Sequence, residues 1–188
     1  MALLIEDESL NAVASWLLVL ALAASGAWIA ATSELLWGAF ALASAAVLAV
    51  PAAVTREWTV APDWAVVALV VFPFVLGQYD PDLPGTSYVA LAALALAVAV
   101  ELDAFSTAEF TPWFAVAFVV LTTMTLAGLW GVGQFAADRY LGTHYLAGLN
   151  DLMWGLVTAT GVSVGAGLLF ELVFREREVA RRTFDGSA

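Results

Sequence analysis

Between Asn11 and Val54 the chain carries one charged side chain, Glu34, among alanine, leucine, valine and aromatic residues. Backbone N–H and C=O groups in so apolar a setting must be satisfied within the segment itself, which in hydrocarbon leaves the α-helix as the unit built from long unalternating runs. Thr32 and Ser33 divide the stretch into two segments, Leu10 to Ala31 and Glu34 to Val54. Each is long enough to cross ~30 Å of hydrocarbon at ~1.5 Å per residue. A tight helical hairpin is expected.

Four further apolar segments follow: Asp63 to Tyr79, Ser87 to Leu102, Pro112 to Ala137 and Asp151 to Phe174. The third and fourth are short for a crossing, and the fifth is longer than a bilayer needs. The expected fold is therefore all-α, a polytopic transmembrane bundle of six spans in one domain, with residues 175–188 as a short charged tail. Helix signals agree. Thr111-Pro112 offers a hydroxyl cap followed by proline at the first helical position, and Asn150-Asp151 caps the sixth span with a charge that suits its dipole. "YDPDLPG", residues 79–85, reads as a turn. Pro73 falls inside the third span and should kink it.

Composition supports lipid as the solvent. Mean hydropathy is +0.92 and 12% of residues are charged, against roughly a quarter in a soluble domain. No cysteine is present, which excludes disulfides, thiolate metal sites and cysteine nucleophiles. A single histidine excludes a multi-histidine metal site within one chain, and no cofactor is expected. Seventeen acids face six arginines and no lysine, for a net charge of −11. Such a balance offers nothing to nucleic acid. It fits a halophilic, archaeal-type proteome, in which concentrated salt screens self-repulsion and hydrated carboxylates keep surfaces soluble.

Arginine placement predicts orientation. Six spans put both termini on the side of the Arg56 loop, and "REREVARR" adds four more arginines there, leaving Arg139 alone opposite. A multi-pass cell-membrane protein with both termini cytoplasmic is expected. Trp16, Trp58, Trp64 and Trp113 then mark the inner boundary, and Trp28, Trp37 and Trp154 the outer one. "MALLIEDESL" is acidic where a signal peptide would be basic. No internal or inverted repeat is visible.

The outer loop "DRYLGTHYLAGLND", residues 138–151, concentrates what polar chemistry there is. Asp138, His144 and Asp151 offer two carboxylates and an imidazole, a set suited to a borderline metal or to a general base. The alternative is a solvated turn between capped helix ends. On the inner side lie Glu101, Asp103 and Glu109. Glu101 is the deepest and is the one to weigh as a proton or cation site, against the simpler reading of a boundary acid. Glu171 stands four residues before Arg175, an i,i+4 pair. "GVG" at 131–133 follows no strand and precedes no lysine, so it is no phosphate loop. No hydrolase elbow occurs either.

Small residues mark the last two spans. Gly128, Gly131 and Gly133 precede Gln134, while Gly155, Gly161, Gly165 and Gly167 accompany Thr158 and Ser163. Such patterns let membrane helices approach closely. The two spans are expected to pack together with Gln134 bonded inside. A homodimer face is the next reading, and a pathway that includes Thr123 and Ser163 the third.

Residues 110–172 resemble the YjdF-like group of small bacterial and archaeal integral membrane proteins. The resemblance rests on Trp130, Asp138, "GT" at 142–143, "LND" at 149–151 and "MW" at 153–154. It implies an integral membrane fold without an assigned activity. It further implies acids one and four places after Trp130, and one and five places after Trp154. This chain has Gly131, Gln134, Gly155 and Ala159 there. The expected function is thus a non-catalytic structural or accessory membrane component, in contact with the bilayer and with copies of itself. The alternatives are a small transporter or channel, and a membrane enzyme acting through Asp138, His144 and Asp151.

Overall fold

The computed structural model describes residues 8–32, 34–80, 83, 85–105, 112–146, 148, 150 and 152–168, and among them every regular element is a helix. The helices are α1 (Glu8–Thr32), α2 (Leu35–Leu48), α3 (Val50–Thr55), α4 (Trp64–Tyr79), α5 (Thr86–Phe105), α6 (Pro112–Leu141) and α7 (Leu152–Leu168). Three are long and apolar enough to cross a membrane by themselves: α1, α5 and α6. The expectation of six such helices is corrected on that point.

The reasons are local. The second segment breaks at Ala49, because Pro51 lacks the N–H that would continue the ladder, and α3 resumes with that proline in its first turn. Ala49 still donates to Ala45 and Ala46, and Ala53 to Ala49, so the break is a bend of one chain direction rather than a reversal. Helix α4 has only 16 residues and runs through Pro73. Helix α5, expected to be short, instead continues to Phe105 and reaches 20 residues. Helix α6 extends one turn past Ala137, placing Asp138 and Arg139 on the helix end.

With α2 and α3 taken as one bent unit, successive helices run in opposite directions. The closest pair is α1 with α2, which meet nearly backbone to backbone. A Cβ at Gly26 would stand 2.9 Å from that of Ala41, and one at Gly38 would fall on the backbone of Ala30 and Gly26. Helix α4 packs on α1 and α5, and α5 packs on α6. Along α6 and α7, Gly167 lies beside Val116 and Val120, Thr160 Oγ1 donates to Met124 Sδ at 3.6 Å, and Gly131 lies beside Leu152. As α6 advances, its partner recedes along α7, so the two helices are antiparallel, as expected.

The bundle has two distinct ends. At one, Ser15 Oγ donates to the Pro62 carbonyl (2.8 Å), Asn11 Oδ1 accepts from Trp64 N–H (3.0 Å), and Trp16 Nε1 donates to the Trp58 carbonyl (2.8 Å). Asp63 caps α4 there by accepting from Ala65 N–H at 3.0 Å, one of the orphan donors at any helix start. At the other end, Trp37, Phe40, Phe74 and Trp130 form an aromatic cluster with ring centroids 4.8–6.0 Å apart, a spacing at which rings attract. Trp37, expected at the lipid boundary, lies inside this cluster because it faces α4 and α6.

The main core joins Leu22, Leu48, Val67, Val70 and Phe74 to small residues of α2 and α5. Outside it, large apolar side chains remain exposed along whole helices, including Leu17 and Leu20 on α1, Leu121, Leu129, Val132 and Phe135 on α6, and Val157 on α7. A water-soluble monomer rarely leaves so continuous an apolar surface. Hydrocarbon is the solvent that matches it.

Candidate functional site

The polar turn after α6 is built around Asp138. Gly142 ends the helix with φ of +70°, a left-handed cap that glycine adopts without a Cβ clash. The chain then folds back over the last turn of α6. Asp138 Oδ1 accepts from Thr143 Oγ1 (2.7 Å) and Tyr145 N–H (2.8 Å), and Oδ2 accepts from Leu146 N–H (2.9 Å). These charge-assisted bonds satisfy two backbone donors that no helix provides for.

Tyr145 extends the clasp across the bundle. Its phenol lies beside the backbone of Leu36 and near Glu34, at the start of α2. Burial first, and the Glu34 carboxylate second, push this phenol above its ordinary value. Gly133 also faces Leu36. The 142–146 turn therefore ties the second half of the chain to the hairpin of the first half.

His144 is exposed, and it stands close enough to Asp138 for their charges to interact. Asp151 lies outside the described residues, as do Glu109, Thr111, Glu171 and the arginines of the tail. Among the described residues no group of three histidine or acidic side chains stands ready to hold a metal. Through these three bonds Asp138 holds the turn against the end of α6.

The small-residue positions divide into two sets. Gly131, Gly155 and Gly167 lie under Leu152, Tyr88 and Val116 respectively, so close packing of α5, α6 and α7 runs through them. A Cβ at Gly128, Gly161 or Gly165 meets no atom within 4 Å. Thr123 and Ser163 are buried, with hydroxyls donating to Val119 and Thr160 carbonyls of their own helices (2.7 and 2.9 Å). Gln134 is half-buried, and among the described residues its amide has no bonding partner. Of the four positions at which the resemblance implies acids, Gly131, Gly155 and Ala159 are buried between these helices. Ala159 packs with Leu91 and Ala127. Carboxylates there would be buried among apolar neighbours.

Three further features carry weight. Trp130 Nε1 is buried without a hydrogen-bond partner, within the aromatic cluster. Glu101 on α5 is 9% exposed, and its Oε1 is buried and unpartnered. A shallow groove of about 340 Å³ runs along α1 between Val13, Trp16, Leu17, Leu20 and Trp58, and its lining is apolar. Sequence reasoning reached Glu101 through its depth in an apolar run. It missed the aromatic cluster and the Gly26–Gly38 crossing, for which the only sign is one glycine in each of two adjacent apolar segments.

No curated protein and no solved structure matches the chain. A family model described as a domain of unknown function, DUF8268, matches residues 1–61. That stretch coincides with a structural unit: α1, α2, α3 and the loop whose Trp58 carbonyl receives Trp16, closed by the Gly26–Gly38 crossing.

Proposed function

We propose that this chain is a non-catalytic structural or accessory component of the cell membrane that crosses the bilayer six times, keeps both termini in the cytoplasm and associates with copies of itself. In this reading α2 and α3 make one bent crossing of about 31 Å at ~1.5 Å per residue, while α4 and α7 cross beside their longer neighbours. Short helices tolerate a ~30 Å core when the bilayer thins or the flanks reach the interface. The acid-rich, lysine-free composition is then an adaptation of a halophilic, archaeal-type proteome. We further read residues 110–172 as a divergent relative of the YjdF-like group.

The observation that carries self-association is the split among the glycines. Gly161 and Gly165 sit one turn apart on an open face of α7, beside exposed Val157, Val164 and Leu168. Small residues four apart let a second helix approach to backbone contact. The saturated carboxylate of Asp138 supports a structural role for the polar turn over a catalytic one. Thr123 and Ser163, bonded to their own helices, favour packing over a transport path.

Native mass spectrometry of gently extracted protein tests this reading. The expected result is a homo-oligomer that Gly161→Leu with Gly165→Leu converts to monomer. A wild-type monomer at every concentration, or an oligomer indifferent to the double substitution, would overturn it.

A further inference from the structure

Among the described residues the one acid that the fold buries is Glu101. It stands one turn before the end of α5, with Oε1 sealed from solvent and from every donor. A carboxylate with one oxygen withdrawn from water and left without a donor is offset by a cation, by donors or by a proton. The surroundings decide among these three.

Among the described residues no cation faces it. On α6 and α7 the described titratable side chains are Asp138, Arg139 and Tyr140, all at the end of α6 remote from Glu101. The nearest stretches of α4 hold only Asp63, whose carboxylate already caps Ala65. Helix α2 has none, and the loop after α3 holds Arg56 and Glu57, both exposed. On α5 itself, Asp103 is half-buried and of like sign, and Tyr88 lies at the opposite end.

A bound metal fits no better. A hard cation takes six or more oxygens, or keeps its waters. Among the described residues no group of three acidic or histidine side chains forms that could hold one. A proton needs none of these. It removes the charge and leaves a neutral acid that apolar helices can pack around.

We propose that Glu101 is a proton-binding carboxyl: it is carried protonated in the packed bundle, and it releases the proton only when water reaches this end of α5. The inference rests on α5 crossing the bilayer. Ionisation would set the packing of α5 against α4 and α6 at odds with hydration of the carboxylate, so proton occupancy and closure of this end are one equilibrium.

Carbodiimides test it, because they react with a protonated carboxyl, and the reagent's solubility reports the medium around it. Membranes containing the full chain are treated with dicyclohexylcarbodiimide or with a water-soluble carbodiimide, and the modified peptides are identified by mass spectrometry. The expected result is an adduct on Glu101 from the hydrophobic reagent, about tenfold or more above the soluble one. Its yield should fall as the pH is raised from ~6 to ~9. Glu101→Gln should abolish that adduct, and Asp103→Asn should retain it. An unmodified Glu101, equal modification by both reagents, or a yield that does not fall with pH would each overturn the proposal, and each is read on the wild-type chain. Alkaline carbonate washing of the same membranes separates the two readings. Release of the chain contradicts the membrane assignment, whereas a retained but unmodified chain contradicts only the role of Glu101.

Discussion

Asp138 shows how one side chain can look like a reactive group and act as a fastener. Its carboxylate holds Thr143, Tyr145 and Leu146 through three bonds of 2.7–2.9 Å, and an oxygen so engaged has little left for a substrate or a metal. Asp138→Ala should raise amide hydrogen exchange at Tyr145 and Leu146 by about tenfold or more, since local opening then frees both donors at once. Exchange in α1, and in α2 beyond its first turn, should not change. Asp138→Asn keeps one acceptor oxygen and should give a smaller rise. Unaltered exchange in Asp138→Ala would remove the clasp from the account. The polarity of this stretch was legible in the sequence. Its role was not, because that depends on a turn at Gly142 that brings residues five to eight positions away onto one carboxylate.

At the scale of helices, apolar run length alone was enough to predict helices throughout, and the helix start at Pro112 followed from capping chemistry. The bend at Ala49 was harder to foresee, because alanine and valine on either side continue the pattern unbroken and only Pro51 interrupts it. Packing was legible in part. Repetition within a single span drew notice to Gly161 and Gly165, yet the closest helix approach lies at Gly26 and Gly38. Close approach is a property of two facing surfaces, and the spacing of glycines along one helix does not report it. Gly38→Ala should therefore destabilise the protein by ~2 kcal/mol or more, since the added methyl meets backbone that has no room to yield. Gly161→Ala should stay within ~0.5–1 kcal/mol of wild type, its methyl being free of neighbours inside the chain. Thermal unfolding of both variants in one detergent compares them directly. Equal effects would show that the hairpin is looser than the crossing at Gly38 requires.

For the whole molecule, the two ends and the alternating helix directions matter most. The residues at one end, Asn11, Trp58, Pro62 and Trp64, are held together by hydrogen bonds, and the 142–146 turn draws the opposite end onto the start of α2. In a bilayer such an arrangement would have the short helices cross along with the long ones. Six crossings and three crossings differ in one place that can be measured. With six, the loop at Glu57 lies across the membrane from Asp80 and His144. With three, only α1, α5 and α6 cross, and Glu57 shares a side with both. The chain has no cysteine, so single substitutions introduce a thiol without background. Labelling Glu57→Cys, Asp80→Cys and His144→Cys in intact cells with a membrane-impermeant maleimide is the most direct test. The account predicts labelling at 80 and 144 from outside, and at 57 only after permeabilisation. Labelling of all three from the same side would contradict it.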